Sequence, residues 1–214
     1  MPKIMTVFGT RPEAIKMAPL IKVLKASSDI ETVVCVTAQH REMLDQVLDT
    51  FQIVPDYDLD IMKTKQTLSD ITARVLNKVG AVLEKEQPDM VLVHGDTSTT
   101  FCAALASFYH HIAIGHVEAG LRTYNKYAPF PEEANRQFVG DIADLHFAPT
   151  KTAASYLLKE GKKPETVYVT GNTVIDALRQ VVTKIKTDAE LDKKLEGVLL
   201  RSGYDVNRLA GGKR

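Results

Sequence analysis

Short apolar runs rich in β-branched residues recur along this chain with helical periodicities between them, and this alternation limits its possible folds more than any other feature. The runs occupy residues 3–8, 32–37, 90–94, 112–117, 145–148 and 166–170, each the length of a buried strand. Between them, Met43, Leu44, Val47, Leu48 and Phe51 share one helical face, and Leu68, Ile71, Val75, Val79 and Leu83 share another. Strand and helix in strict alternation imply right-handed βαβ crossovers and a parallel sheet covered on both faces. The expected fold class is therefore α/β, a doubly wound, Rossmann-like sheet. Ligands of such a sheet meet the loops that leave the carboxyl ends of the strands. After Gly171 the pattern changes, and residues 174–186 and 189–200 read as helices with no strand following.

Composition narrows the function. The 27 basic residues cancel the 27 acidic ones, so no global field draws the chain to nucleic acid or an anionic membrane, and any bound anion must be held locally. Cys35 and Cys102 sit in apolar surroundings and form neither a disulfide framework nor a zinc set; both are expected to be buried thiols. No apolar run approaches the ~18 residues of a membrane span, and the first residues enter a strand directly, so a cytoplasmic protein is expected.

The glycines exclude two familiar nucleotide sites. No two of them are separated by a single residue, so a G-x-G-x-x-G turn cannot be written. Gly115 and Gly120 have the outer spacing of a phosphate loop, but Leu121 and Arg122 stand where Lys and Ser or Thr would be required. A third possibility remains at Gly9-Thr10-Arg11-Pro12-Glu13, where the first strand ends. Thr10 can cap a helix, Pro12 suits its first turn, and Glu13 completes a capping box. Arg11 and Lys16 add charge to that positive helix end, which could hold a diphosphate; as plain chemistry, they could equally be solvated charges on a well-capped helix. Pro19 offers no amide to the Ile15 carbonyl, so a bend is expected there.

Two further strands run into carboxylates, at Gly95-Asp96 and at Glu118, and Pro131-Glu132-Glu133 opens a helix that continues through Arg136. Singly these acids read as caps and dipole partners. Together they gather at one sheet edge beside Arg11 and Lys16, the arrangement that acid/base work on a phosphorylated substrate needs. His110, His111 and His116 cluster near one strand without the spacing of a zinc site, so no metal is expected. His116 is expected to pack or hydrogen-bond at the sheet edge, and His94 to orient the Gly95-Asp96 turn.

Five stretches carry a resemblance: VFGTRPEAIKMAPL (7–20), HGDTSTT (94–100), HVEAGLRT (116–123), PFPEEANR (129–136) and TGNTVIDAL (170–178). In order and spacing they resemble the non-hydrolysing UDP-N-acetylglucosamine 2-epimerases. The resemblance implies the first half of a glycosyltransferase-B-like two-domain fold, with residues 1–170 as the catalytic Rossmann-like domain and 171–214 as a helical segment leading towards a second domain absent from this chain. It implies epimerisation of UDP-N-acetylglucosamine to UDP-N-acetylmannosamine at C2, by UDP elimination and re-addition, without a cofactor. Asp96, Glu118 and Glu132 would be the catalytic carboxylates, with acid and base not distinguished. Arg11, Lys16, Asp96, Glu118 and Arg136 would bind substrate, and Gln39 and His40 fall where some members hold a regulatory nucleotide sugar, although Glu42 stands where a second glutamine is expected. A homodimer, a role in cell-surface polysaccharide precursor synthesis and an inactive isolated chain are also implied. Two other readings stay open: a binding or dimerisation module using the Met43 and Leu68 stripes, and a sugar-nucleotide glycosyltransferase.

Overall fold

In the computed structural model, residues 1–38 and 41–204 are described. The first eight elements are β1 (Lys3–Phe8), α1 (Arg11–Ala26), β2 (Glu31–Val36), α2 (Arg41–Phe51), β3 (Tyr57–Asp58), α3 (Leu68–Glu86), β4 (Met90–His94) and α4 (Ser98–Tyr109). They are followed by β5 (Ala113–Val117), α5 (Glu132–Ile142), β6 (Leu145–Ala148), α6 (Lys151–Lys159), β7 (Val167–Val169), α7 (Val174–Thr187) and α8 (Ala189–Arg201). All strand pairs are parallel, in the order β3-β2-β1-β4-β5-β6-β7. The chain winds outward from β1 to β3, then returns to lay β4 on the other side of β1. That reversal leaves a crevice above the β1 and β4 carboxyl ends, where open α/β sheets receive ligands. Among the described residues no helix is long and apolar enough to cross a membrane.

Alternate strand residues build the core. Met5 and Val7, Val33 and Cys35, and Val91 and Val93 join Ile71, Val75, Val79 and Leu83 of α3 and Cys102, Ala103 and Ala106 of α4 in one buried cluster. The helical stripes expected from the sequence are thus largely core, with only Met43 and Leu68 well exposed. Both buried thiols are pushed up by desolvation, Cys35 to about 12 and Cys102 to about 11, so neither is reactive near neutrality.

The capping signals hold. Thr10 accepts from the Glu13 amide while the Glu13 side chain accepts from the Thr10 amide, and Thr67 with Asp70 repeats this box at α3. The α1 helix runs on through Pro19 to Ala26. The expected strands return within a residue or so, while β3 has only two residues, too few for a periodicity to show. Met1–Thr173 form one compact unit; the described residues from Val174 to Tyr204 belong to a second and carry the two expected helices, with Asp188 capping α8.

Candidate active site

The first expected cluster assembles on three adjacent strand exits. Arg11 and Lys16 follow β1, Asp96 follows β4 and Glu118 follows β5, and these strands are consecutive neighbours in the sheet. Two tight exits bring the groups together. Gly95 has φ +70° and Glu118 has φ +63°, both left-handed, and a Cβ on Gly95 would stand 4.0 Å from Glu118 Oε1. Glu118 pairs with Lys16, whose Nζ lies 2.6 Å from Oε2 and 2.7 Å from Oε1, and also accepts from Asn172 Nδ2 at 3.1 Å. Asp96 pairs with Arg136 Nη2 at 2.5 Å, and Asn135 Nδ2 donates to the Asp96 carbonyl at 2.9 Å. A helix arriving from beyond β5 therefore supplies the cation for an acid on β4. Arg11 is exposed at the start of α1. Gln39 and His40 lie outside the described residues.

Glu13 does more than cap. Buried, it accepts from the Gly9 and Thr10 amides at 3.0 and 2.7 Å and from the Thr97 and Thr100 hydroxyls at 2.8 and 3.0 Å. It ties the β1 exit to the β4 exit. The Gly9 and Thr10 amides at this strand exit are thus occupied by this carboxylate. Burial raises the Glu13 pKa despite these bonds to Thr97, Thr10 and the Gly9 amide. At Gly9 the backbone has no room for a side chain, since a Cβ would stand 2.0 Å from Thr37 Oγ1.

At the start of α5 the two glutamates divide their work. Glu133 is buried and accepts from the Thr123 and Tyr124 amides at 3.1 and 3.0 Å, from Gln137 at 3.0 Å and from Arg136 Nη1 at 3.1 Å. Burial pushes its pKa up, but those four donors outweigh it and the net shift is downward. Glu132 keeps one buried oxygen, Oε2, with no hydrogen-bond partner. The sequence singled out Glu132 and treated Glu133 as a dipole partner; the structure makes Glu133 the clamp that holds the 121–131 loop. Arg122 closes the same loop through paired 2.8 Å bonds to Glu160.

The histidines correct one expectation. His116, not His94, bonds the Gly95 turn, with Nε2 2.7 Å from the Gly95 carbonyl. His94 is buried with both ring nitrogens unpartnered, and its Nε2 stands 3.9 Å from Glu118 Oε2. Desolvation, and after it the charge of Lys16, pushes the His94 pKa down to about 3, so the ring is neutral. Burial lowers His116 to about 3 and His146 to about 4. Among the described residues no three His, Cys, Asp or Glu side chains are grouped to hold a metal ion.

Comparisons with known proteins place the chain in a family. Residues 22–204 match the family model described as UDP-N-acetylglucosamine 2-epimerase. The UDP-N-acetylglucosamine 2-epimerase of Bacillus subtilis (strain 168) is 64% identical over 180 residues, which cover 84% of this chain and 47% of that protein. The crystal structure of UDP-GlcNAc 2-epimerase from Neisseria meningitidis bound to UDP-GlcNAc superposes with a TM-score of 0.88 at 54% identity, over 92% of this chain and 54% of that one. A lipopolysaccharide outer core galactosyltransferase shares the fold alone, at 15% identity and a TM-score of 0.59, which agrees with the first half of a glycosyltransferase-B-like fold. The chain spans about half the length of the curated relatives it matches. By the family model over residues 22–204 and the shared parallel sheet, the chain belongs to the UDP-N-acetylglucosamine 2-epimerase family.

Proposed function

We propose that these residues form the catalytic half of a site that interconverts UDP-N-acetylglucosamine and UDP-N-acetylmannosamine at C2. The observation that carries this reading is the pair of ion pairs, Lys16 with Glu118 and Arg136 with Asp96, side by side at the sheet's reversal point. Each pair presents a cation for a diphosphate and a carboxylate for a proton or a developing positive charge. The C2 proton of the sugar has no adjacent carbonyl to acidify it, so UDP must leave before or with it. Breaking the C1–O bond and removing the C2 proton gives 2-acetamidoglucal and UDP, and re-addition with protonation on the other face inverts C2. Negative charge grows on the diphosphate, where Arg11, Lys16 and Arg136 act, and positive charge on C1, where Asp96, Glu118 and Glu132 act. Groups that meet charge only as it develops favour the transition state over the ground state. The unpartnered Glu132 Oε2 supports its inclusion, because an orphaned carboxylate oxygen is available to a proton.

Since relatives are about twice as long, we read residues 1–214 alone as binding UDP weakly without turning it over, because an open half-site leaves the diphosphate solvated. The whole protein acts in the cytoplasm as a homodimer, supplying a nucleotide sugar for cell-surface polysaccharide precursors. Exposed Phe108 and Tyr109 at the end of α4 support a self-association surface. The test is incubation with UDP-N-acetylglucosamine in D₂O, following the manno product and deuterium at C2 by NMR. A protein extending these residues to its relatives' length is expected to show both; residues 1–214 are expected to show neither. Deuterium-free product from the longer protein would overturn the elimination route.

A further inference from the structure

His94 is among the buried polar groups that the mechanism above leaves unused. The His94 ring sits at the β4 exit with both nitrogens unpartnered, in a place where an apolar side chain of similar size would incur no desolvation penalty. Its Nε2 stands 3.9 Å from Glu118 Oε2, about 1 Å longer than a typical N–H···O hydrogen bond. That carboxylate is held by Lys16 at 2.6 Å and by Asn172 at 3.1 Å, and Lys16 is the stronger, charge-assisted partner. We propose that His94 is a positioning residue for Glu118: when Lys16 leaves the carboxylate, the Nε2–H of His94 takes its place as donor.

That Lys16 leaves rests on the anion reading above, in which a diphosphate draws its Nζ away. Without a second donor, Glu118 would then be a carboxylate in a largely buried position held by Asn172 alone. A carboxylate turn of about 1 Å closes the His94 contact. The neutral ring donates a hydrogen bond and keeps its proton, so the contact aims the Glu118 carboxylate without a proton transfer. His116 cannot serve, because its Nε2 is committed to the Gly95 carbonyl.

The test needs no turnover. Residues 1–214 are labelled with ¹⁵N-histidine, and the His94 signals are assigned by their loss in His94→Leu. In the unliganded wild type, where the His94 Nε2–H has no acceptor, it is expected to exchange with water faster than in Lys16→Met. In Lys16→Met it is expected to become slowly exchanging and to shift downfield, and in Lys16→Met with Glu118→Ala it is expected to be lost again. Lys16→Gln repeats the test where Lys16→Met disturbs folding, as judged from amide dispersion. A His94 signal unchanged in both Lys16 variants, or one that persists without Glu118, overturns the proposal. UDP titrated into wild type until its own ³¹P shifts show the site occupied is expected to reproduce the Lys16→Met signal. If the variants show the signal and UDP does not, the His94 assignment stands and the anion reading of Lys16 falls.

Discussion

The two ends of the sheet use acidic residues differently. At the strand entrances an aspartate precedes β3, β4 and β6, and each forms the same two-bond clamp on the neighbouring strand. Asp56, Asp89 and Asp144 donate their amides to the carbonyls of Val34, Lys3 and Ile114 at 2.8, 2.8 and 2.9 Å. Their carboxylates accept from the amides of those same residues at 2.8, 2.6 and 2.8 Å. At the strand exits, Asp96 and Glu118 take side-chain cations instead. An acid bonded to backbone amides is part of the ladder and cannot release its partners without unpairing the strand. An acid bonded to Lys or Arg can give that partner up to a ligand anion. The same residue type is thus structural at one end and available for chemistry at the other.

Glu133 tests the boundary of that distinction, because it stands at the exit end but is clamped like an entrance acid. Glu133→Ala should lower stability by about 3 kcal/mol or more in denaturant unfolding, since it leaves the Thr123 and Tyr124 amides, the Gln137 side-chain amide and Arg136 Nη1 without their acceptor, Arg136 keeping only Asp96. A loss below about 1 kcal/mol would place Glu133 with the exchangeable acids. The pH dependence has a definite sign: its folded pKa is depressed, so its contribution is present above the unfolded carboxylate value and is lost as pH falls through the folded one. Glu13, whose folded pKa is raised, contributes the opposite slope.

The exchangeable acids should show the reverse pattern. In the longer protein, Asp96→Asn, Glu118→Gln and Glu132→Gln should each lower kcat by ~10²-fold or more, about 2.7 kcal/mol of barrier, with little change in UDP affinity. Arg11→Ala and Lys16→Ala should weaken UDP binding as well. Values of kcat within about threefold of wild type in all three carboxylate variants would remove them from the mechanism.

A third effect lies between the two ends, where His116 and His146 are register partners on β5 and β6. Their folded pKa values, about 3 and about 4, lie below the unfolded value, so the unfolded chain takes up protons that the folded chain refuses. Stability should therefore fall as pH drops from about 6.5 towards 4. Denaturant midpoints measured across that range should give a shallower slope for His146→Leu than for wild type, and an unchanged slope would contradict burial of a neutral ring.

The smallest effect belongs to the entrance clamps. Asp144→Ala or Asp89→Ala should cost about 1 kcal/mol each, the worth of one hydrogen bond, and leave kcat unchanged in the longer protein. A marked drop in kcat from either variant would mean that the two ends are not independent.

Much of this was legible in the residues. The alternation of apolar runs and helical faces located six of the seven strands, and Thr10 with Glu13 announced a capping box that the structure contains. The entrance clamps also leave a trace, an aspartate immediately before a strand run in PDY, PDM and ADL, which went unread. Glu133 could have been flagged only by knowing that the loop from residue 121 turns back over it. Asn135 and Asn172 carry no local cue at all, since their partners, Asp96 and Glu118, lie 39 and 54 residues away.

The sequence by itself determined which residues are apolar, at what period they recur and which turns can start a helix, and these are local properties that dictate the parallel sheet and its exits. Only the tertiary structure decided which acid meets which cation, because strand order folds β1, β4 and β5 side by side although Lys16 and Glu118 are 102 residues apart. It also decided which carboxylates are buried among amides and which face exchangeable charge. Burial and long-range pairing set the energy of an ionised group, and both depend on neighbours that chain order does not supply.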